Sequence, residues 1–167
     1  MLNVISFSPV VTKKIGATIA DQVASHFNSA NGPIFILLEG NLGAGKTTFT
    51  LGFLKYFGIK PAAASPTFVI AKHYKIIQKS KGKSQNLKSK LKSVRDLINN
   101  IYHIDAYRLR SKEDLKTIGF NEIKKQPRTV VLMEWPGNVK GMGVKNVIRV
   151  RFEHGKKVNE RTISIRS

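Results

Sequence analysis

The stretch Gly40-Asn41-Leu42-Gly43-Ala44-Gly45-Lys46-Thr47 limits the fold more than any other part of this 167-residue chain. It has the Walker A spacing G-x-x-x-x-G-K-[ST]. Before it lies the apolar run Ile34-Phe35-Ile36-Leu37-Leu38, which suits a strand covered on both faces. After it, Lys46 to Phe57 carries Phe49, Phe53, Leu54 and Phe57 at helical spacing, and Gly58 closes the helix. Strand, glycine-rich turn and helix in this order predict an α/β fold of the P-loop NTPase type, a mostly parallel sheet flanked by helices. The glycines let backbone N–H groups point inward around an anion, and the helix adds its unsatisfied N-terminal donors and positive dipole end. In such a loop Lys46 reaches the β- and γ-phosphates and the Thr47 hydroxyl is a ligand of Mg²⁺.

The length suits one domain spanning 1–167. Ile15, Ile19, Val23 and Phe27 form an apolar stripe that predicts an opening helix over Thr12–Ser29, broken by Asn31-Gly32-Pro33. Thr67–Ile77 reads as a strand or an extended loop into one, Ile101–Ala106 and Thr129–Glu134 read as strands, and Ser111–Ile118 opens like a capped helix with Asp114 three residues after Ser111. Val147–Phe152 and Arg161–Ile165 alternate around a glycine-containing loop, which predicts an antiparallel C-terminal hairpin with one wet face.

The absence of cysteine excludes disulfides, thiolate zinc sites and cysteine nucleophiles and suits a reducing cytoplasm. Residues 1–11 carry neither a charged leader nor a long apolar stretch, and no run is long enough for a membrane helix, so a soluble, cytoplasmic protein is expected. Lys and Arg number 29 against 10 Asp and Glu, a formal charge of +19 that favours polyanions such as nucleic acid by long-range steering. Nine of the basic residues fall between Lys72 and Arg95 with no acid among them, seven of them in a polar stretch at about 76–98 that reads as an insertion.

A P-loop site needs an acidic residue at the tip of a neighbouring strand, because metal and triphosphate must be oriented together. Asp105 and Glu134 each end an apolar run where the loops of an open α/β sheet meet a ligand. One can hold the metal while the other acts on water, and spacing does not say which. His103 reads as a packed, hydrogen-bonded strand residue, or else as a ligand or an acid/base group. Trp135 directly follows Glu134, so its indole lies near the nucleotide or in the core.

The succession Leu38-Glu39-Gly40 to Thr48, Ser65-Pro66-Thr67-Phe68, His103-Ile104-Asp105-Ala106-Tyr107-Arg108-Leu109, Ile118-Gly119-Phe120 with Glu122, and Glu134-Trp135-Pro136 resembles the TsaE (YjeE) family. These are P-loop ATPases of tRNA threonylcarbamoyladenosine biosynthesis. The resemblance covers most of residues 10–140, and the last elements in succession are specific to the family. It implies Mg²⁺-dependent ATP hydrolysis, weak without partners, alongside the TsaD and TsaB proteins that install threonylcarbamoyl on the adenosine next to the anticodon. It further implies that Gly43 to Thr48, with Asn41 in the same loop, hold the phosphates and that Thr47 and Glu134 bind Mg²⁺. Asp105 would be needed for hydrolysis together with Lys46, and Thr12 would touch the base side of the nucleotide. Thr67 resembles a switch sensing the γ-phosphate, for which a hydroxyl is suitable chemistry.

Two features depart from the family. Gly137 stands where a second acid commonly follows E-W-P, so any contact that acid makes is lost or replaced. The basic insertion is the other, and it offers contacts to tRNA, made directly or through the complex. A small-molecule kinase is an alternative from the same loop, but no lid-like arginine segment supports it. A nucleotide-gated RNA-binding module without turnover is the alternative suggested by the charge. Removing Lys79–Lys92 is expected to weaken tRNA binding and flatten its salt dependence, measured across a salt series; an unchanged affinity and slope would refute a role for the insertion in RNA contact.

Overall fold

The computed structural model describes residues 1–27, 32–60, 70–76 and 97–167. The S-P-T-F segment with Thr67, and the insertion from 77 to 96, lie outside the described residues. Seven strands form one sheet: β1 (Leu2–Ser6), β2 (Ile34–Gly40), β3 (Ala71–Lys75), β4 (Asn100–Asp105), β5 (Thr129–Glu134), β6 (Val147–His154) and β7 (Arg161–Arg166). Their spatial order is β1-β7-β6-β2-β5-β4-β3. The middle four, β6, β2, β5 and β4, are parallel, while β3 at one edge and β7 and β1 at the other run antiparallel to their neighbours. The expected α/β class and the C-terminal hairpin are both present. The hairpin also continues the parallel stack, because β6 pairs with β2 from Phe35↔Val147 to Gly40↔Phe152.

Helix α1 is Pro9–Ser25 rather than Thr12–Ser29. Its start lies three residues earlier because the Ser8 hydroxyl accepts from Val11 N–H (3.2 Å) and Pro9, whose φ is already helical, takes the first position. Helix α2 is Lys46–Tyr56. The two helices cover one sheet face, where Ile19, Val23, Phe49, Phe53 and Leu54 bury against Ile36, Leu38, Leu132, Val150 and Phe152. Phe49 meets Phe152 edge-on, with ring centroids 5.6 Å apart. The opposite face, formed by Phe35, Leu37, Ile104, Val131 and Met133, is closed by a 3₁₀ turn (Lys112–Ile118) and a single helical turn (Phe120–Ile123). The cap expected at Ser111 forms: Asp114 Oδ2 accepts from the N–H groups of Arg110 (2.8 Å) and Ser111 (3.2 Å).

Strand β1 was not anticipated. It is a five-residue edge strand whose Leu2 and Ile5 are half-exposed, so it lacks the alternation that marks a strand with one buried face. Among the described residues no helix is long and apolar enough to cross a membrane.

The seating of α1 on α2 depends on two glycines facing opposite ways. A Cβ on Gly16 would strike the Phe49 carbonyl, and one on Gly52 would strike the Lys13 carbonyl. Both obstacles are backbone, so neither yields by a rotamer change. Gly16→Ala or Gly52→Ala should therefore lower stability by about 1–3 kcal/mol, although alanine is the better helix former. Chemical denaturation of each variant checks this, and a stabilised variant would contradict the close packing.

Candidate functional site

The parallel strands β2, β4 and β5 end on the same side of the sheet, with Leu38 opposite Glu134 and Glu134 opposite Asp105. The residues after β2 leave the sheet as the glycine-rich loop and re-enter as α2. Gly40 has φ 143°, and a Cβ there would run into the Phe152 carbonyl of β6. Gly45 caps α2 in the left-handed region (φ 105°), with no side-chain cap among the described residues and no acid in the first turn. The donors at this helix end thus remain open to an outside anion. The hairpin supports the loop from behind: His154 Nε2 donates to the Leu42 carbonyl (3.3 Å) and Arg161 Nη2 to the Gly43 carbonyl (3.3 Å).

A cleft of about 280 Å³ opens over the loop, lined by Gly43, Gly45, Lys46, Thr47, Thr48, Asp105, Tyr107, Glu134 and Trp135. Lys46 is buried and donates from Nζ to the carbonyls of Gly40 (2.7 Å) and Asn41 (2.9 Å). Burial pushes its pKa down, and the neighbouring Glu134 and Asp105 carboxylates pull it back up. Its ammonium also sits 3.9 Å from the centroid of the Trp135 ring. Trp135 adopts φ 59°, an uncommon conformation for a bulky residue, and its ring packs on Tyr107 with centroids 5.1 Å apart.

Thr47 Oγ1 donates to both oxygens of Glu134, at 3.1 Å and 3.0 Å. His103 Nε2 contacts Glu134 Oε1 at 2.9 Å, with both side chains buried. Asp105 is buried beside them, and its Oδ1 accepts the Tyr107 N–H at 3.0 Å. The chemistry of the donor set can be tested against Mg²⁺: a hydroxyl and a carboxylate are hard oxygen ligands that already touch. Among the described residues no group of three or more His, Asp or Glu forms a cage. That fits an ion held by one or two protein oxygens and completed by phosphates and water.

Most of the residues singled out in the sequence therefore converge on one cleft. Asn41 contributes its carbonyl to Lys46, and Ala44 is buried within the loop, its N–H on the Asn41 carbonyl (3.2 Å). Thr12 lies behind the loop: it is buried, 3.6 Å from where a Gly45 Cβ would be, with Oγ1 bonded to Ser6 Oγ (2.8 Å). Gly137 lies across Trp135 in a separate, larger concavity of about 1100 Å³, with open space around its Cα. The sequence reading gave Tyr107 no role and left His103 open. The alternation of β4 carries the signal for His103, because residues 101, 103 and 105 share a face and Asp105 already marks it.

Residues 8–163 match the profile of the family described as threonylcarbamoyl adenosine biosynthesis protein TsaE. Among curated proteins named tRNA threonylcarbamoyladenosine biosynthesis protein TsaE, that of Rickettsia conorii is 34% identical over 143 residues, 85% of this chain and 65% of its own length. The Rickettsia felis protein is 33% identical over 85% of this chain and 67% of its length, and the Bacillus subtilis protein 35% over 60% and 49%. The matched part of this chain thus spans about half to two thirds of these relatives. The crystal structure of Bacillus subtilis YdiB superposes with a TM-score of 0.63 over 98% of this chain and 83% of that one, at 24% identity, and so shares the fold. With the family profile matched across nearly its whole length, this chain belongs to the TsaE family.

Proposed function

We propose that this protein is a cytoplasmic, Mg²⁺-dependent ATPase that supports threonylcarbamoyladenosine modification of tRNA together with TsaD and TsaB. The observation that carries the reading is the bond between Thr47, at the start of α2, and Glu134, at the end of β5. It brings a phosphate loop and a strand-tip carboxylate to hydrogen-bonding distance, as Mg²⁺-nucleotide chemistry requires. The names of the relatives supply the pathway; the two partner proteins come from the family resemblance.

In this reading the N–H groups of Gly43 to Thr48 bind the phosphate oxygens, and the open end of α2 adds its dipole. Lys46 is held in place by the Gly40 and Asn41 carbonyls and turns from them to the phosphates when nucleotide enters. Thr47 and Glu134 would hold Mg²⁺, which when bound neutralises phosphate charge and polarises the bond to be cleaved. Asp105, fixed through Oδ1 by the Tyr107 N–H, orients the attacking water. Trp135 and Tyr107 wall the cleft and keep bulk water from Lys46. Gly137 offers neither a ligand nor a base, so all the acid chemistry falls to Asp105 and Glu134.

ATP turnover is expected to be slow for the protein alone, to rise when TsaD and TsaB are added, and to vanish in Lys46→Ala. Asp105→Asn should lower turnover by about 10²-fold or more while ATP still changes the fluorescence of Trp135. A phosphate-release assay alongside fluorescence titration reads both. Nucleotide binding with no hydrolysis in any mixture would replace this proposal with a nucleotide-gated switch.

A further inference from the structure

Glu134 is buried and, among the described residues, receives hydrogen bonds from two side chains: Thr47 Oγ1 on both of its oxygens and His103 on Oε1. A carboxylate oxygen accepts, so His103 Nε2 carries the proton and donates at 2.9 Å. The two partners differ in what they can do once a cation arrives. Thr47 has a single hydroxyl proton, and an oxygen that turns its lone pair to a metal points that proton away from it. A cation entering between Thr47 and Glu134 would take up a lone pair of that oxygen and reorient its bond to Glu134. His103 faces no such competition. It sits within the sheet on β4, opposite Leu132 of β5 and Lys72 of β3, and its ring reaches Glu134 from the strand side rather than from α2.

We infer that His103 is the positioning residue for Glu134: by holding Oε1 it fixes the carboxylate's rotamer, so that the carboxylate faces Thr47 whether or not a cation lies between them. Three features of the geometry meet in this assignment. The donor is a rigid two-torsion ring, so the carboxylate it grips has little freedom to swing. The acceptor ends a strand in register with Asp105, so a swing of Glu134 toward Asp105 would bring two carboxylates together. The histidine shares its strand face with Asp105, so one strand sets the positions of the holder and of the neighbouring acid. Partners of this kind, which touch the ligand and not the ion, typically carry 10–100-fold in metal affinity.

The inference rests on the Mg²⁺-nucleotide reading above, and the test separates the two. Mg²⁺ is titrated at fixed ADP and followed by Trp135 fluorescence, and ADP affinity is measured separately in EDTA. His103→Met, which fills the volume without a donor, should raise the Mg²⁺ midpoint by about tenfold or more. Its affinity for ADP in EDTA should stay within about twofold, because the phosphate loop is untouched. His103→Gln places an amide N–H close to where Nε2 stands and should restore most of the midpoint. A residue that merely filled the core would alter the melting temperature without separating these two affinities. A His103→Met midpoint equal to wild type, or a His103→Gln no better than His103→Met, would overturn the assignment. Long-range ¹H–¹⁵N spectra of wild-type imidazole with Mg²⁺ and ADP need no variant: a proton on Nε2 is expected, and a bare Nε2 would also overturn it. A wild-type protein that binds ADP with no Mg²⁺ dependence would instead refute the metal reading itself.

Discussion

Two buried carboxylates stand side by side at the ends of adjacent parallel strands, and the rest of the site is arranged around keeping them there. Asp105 and Glu134 are register partners, so no local backbone adjustment can separate them. Like charges in a poorly solvated place are costly, and the neighbouring elements supply the compensation. Lys46 approaches from α2 and feels both carboxylates, while Tyr107 N–H and His103 donate to one each. The helix end whose N–H groups await an anion also presents the lysine and hydroxyl that answer the acids. Sheet register, the glycine turn and the helix start thus solve one electrostatic problem together, to which the proposed divalent cation would add.

The sequence displayed this centre because its signals are local. An apolar run, a glycine-rich turn and a helical stripe occupy adjacent residues, and each obeys its own short-range rule. Asp105 and Glu134 were legible for the same reason, as acids at the ends of apolar runs. What escaped is set by distant contacts. Strand β1 has no period of its own and exists because β7 offers it a partner across the sheet. The start of α1 was misjudged by three residues because the apolar stripe begins later than the Ser8-Pro9 cap that nucleates the helix. The link from His103 to Glu134 spans 31 residues and is visible only once β4 and β5 lie side by side. Thr12 was assigned to the nucleotide's base side by likeness alone, and its hydroxyl faces Ser6 behind the loop.

Among the described residues, the basic groups behind the formal charge of +19 are not gathered at the cleft. Among the described residues, Lys46 is the basic group that lines the cleft, beside the acids Asp105 and Glu134. On β6, Arg149 is bonded to Glu39 (2.6 Å) and Arg151 to Glu153 (3.3 Å) in exposed pairs worth little to stability. A charge excess of this size acts over distance and favours polyanions.

The phosphate loop leans on a hairpin that lies far along the chain, and this gives the site a history as well as a shape. Gly40 is shaped to Phe152, and the carbonyls of Leu42 and Gly43 take their donors from His154 and Arg161. On a ribosome, which releases the chain from its N-terminus, the loop emerges more than a hundred residues before these supports. Closing so long a span is slow relative to forming α2 beside it. The nascent chain thus holds this loop in an unsupported form until the hairpin has been made, and the loop's final shape arrives with it. Truncation within the hairpin would then leave a loop of intact sequence without its supports.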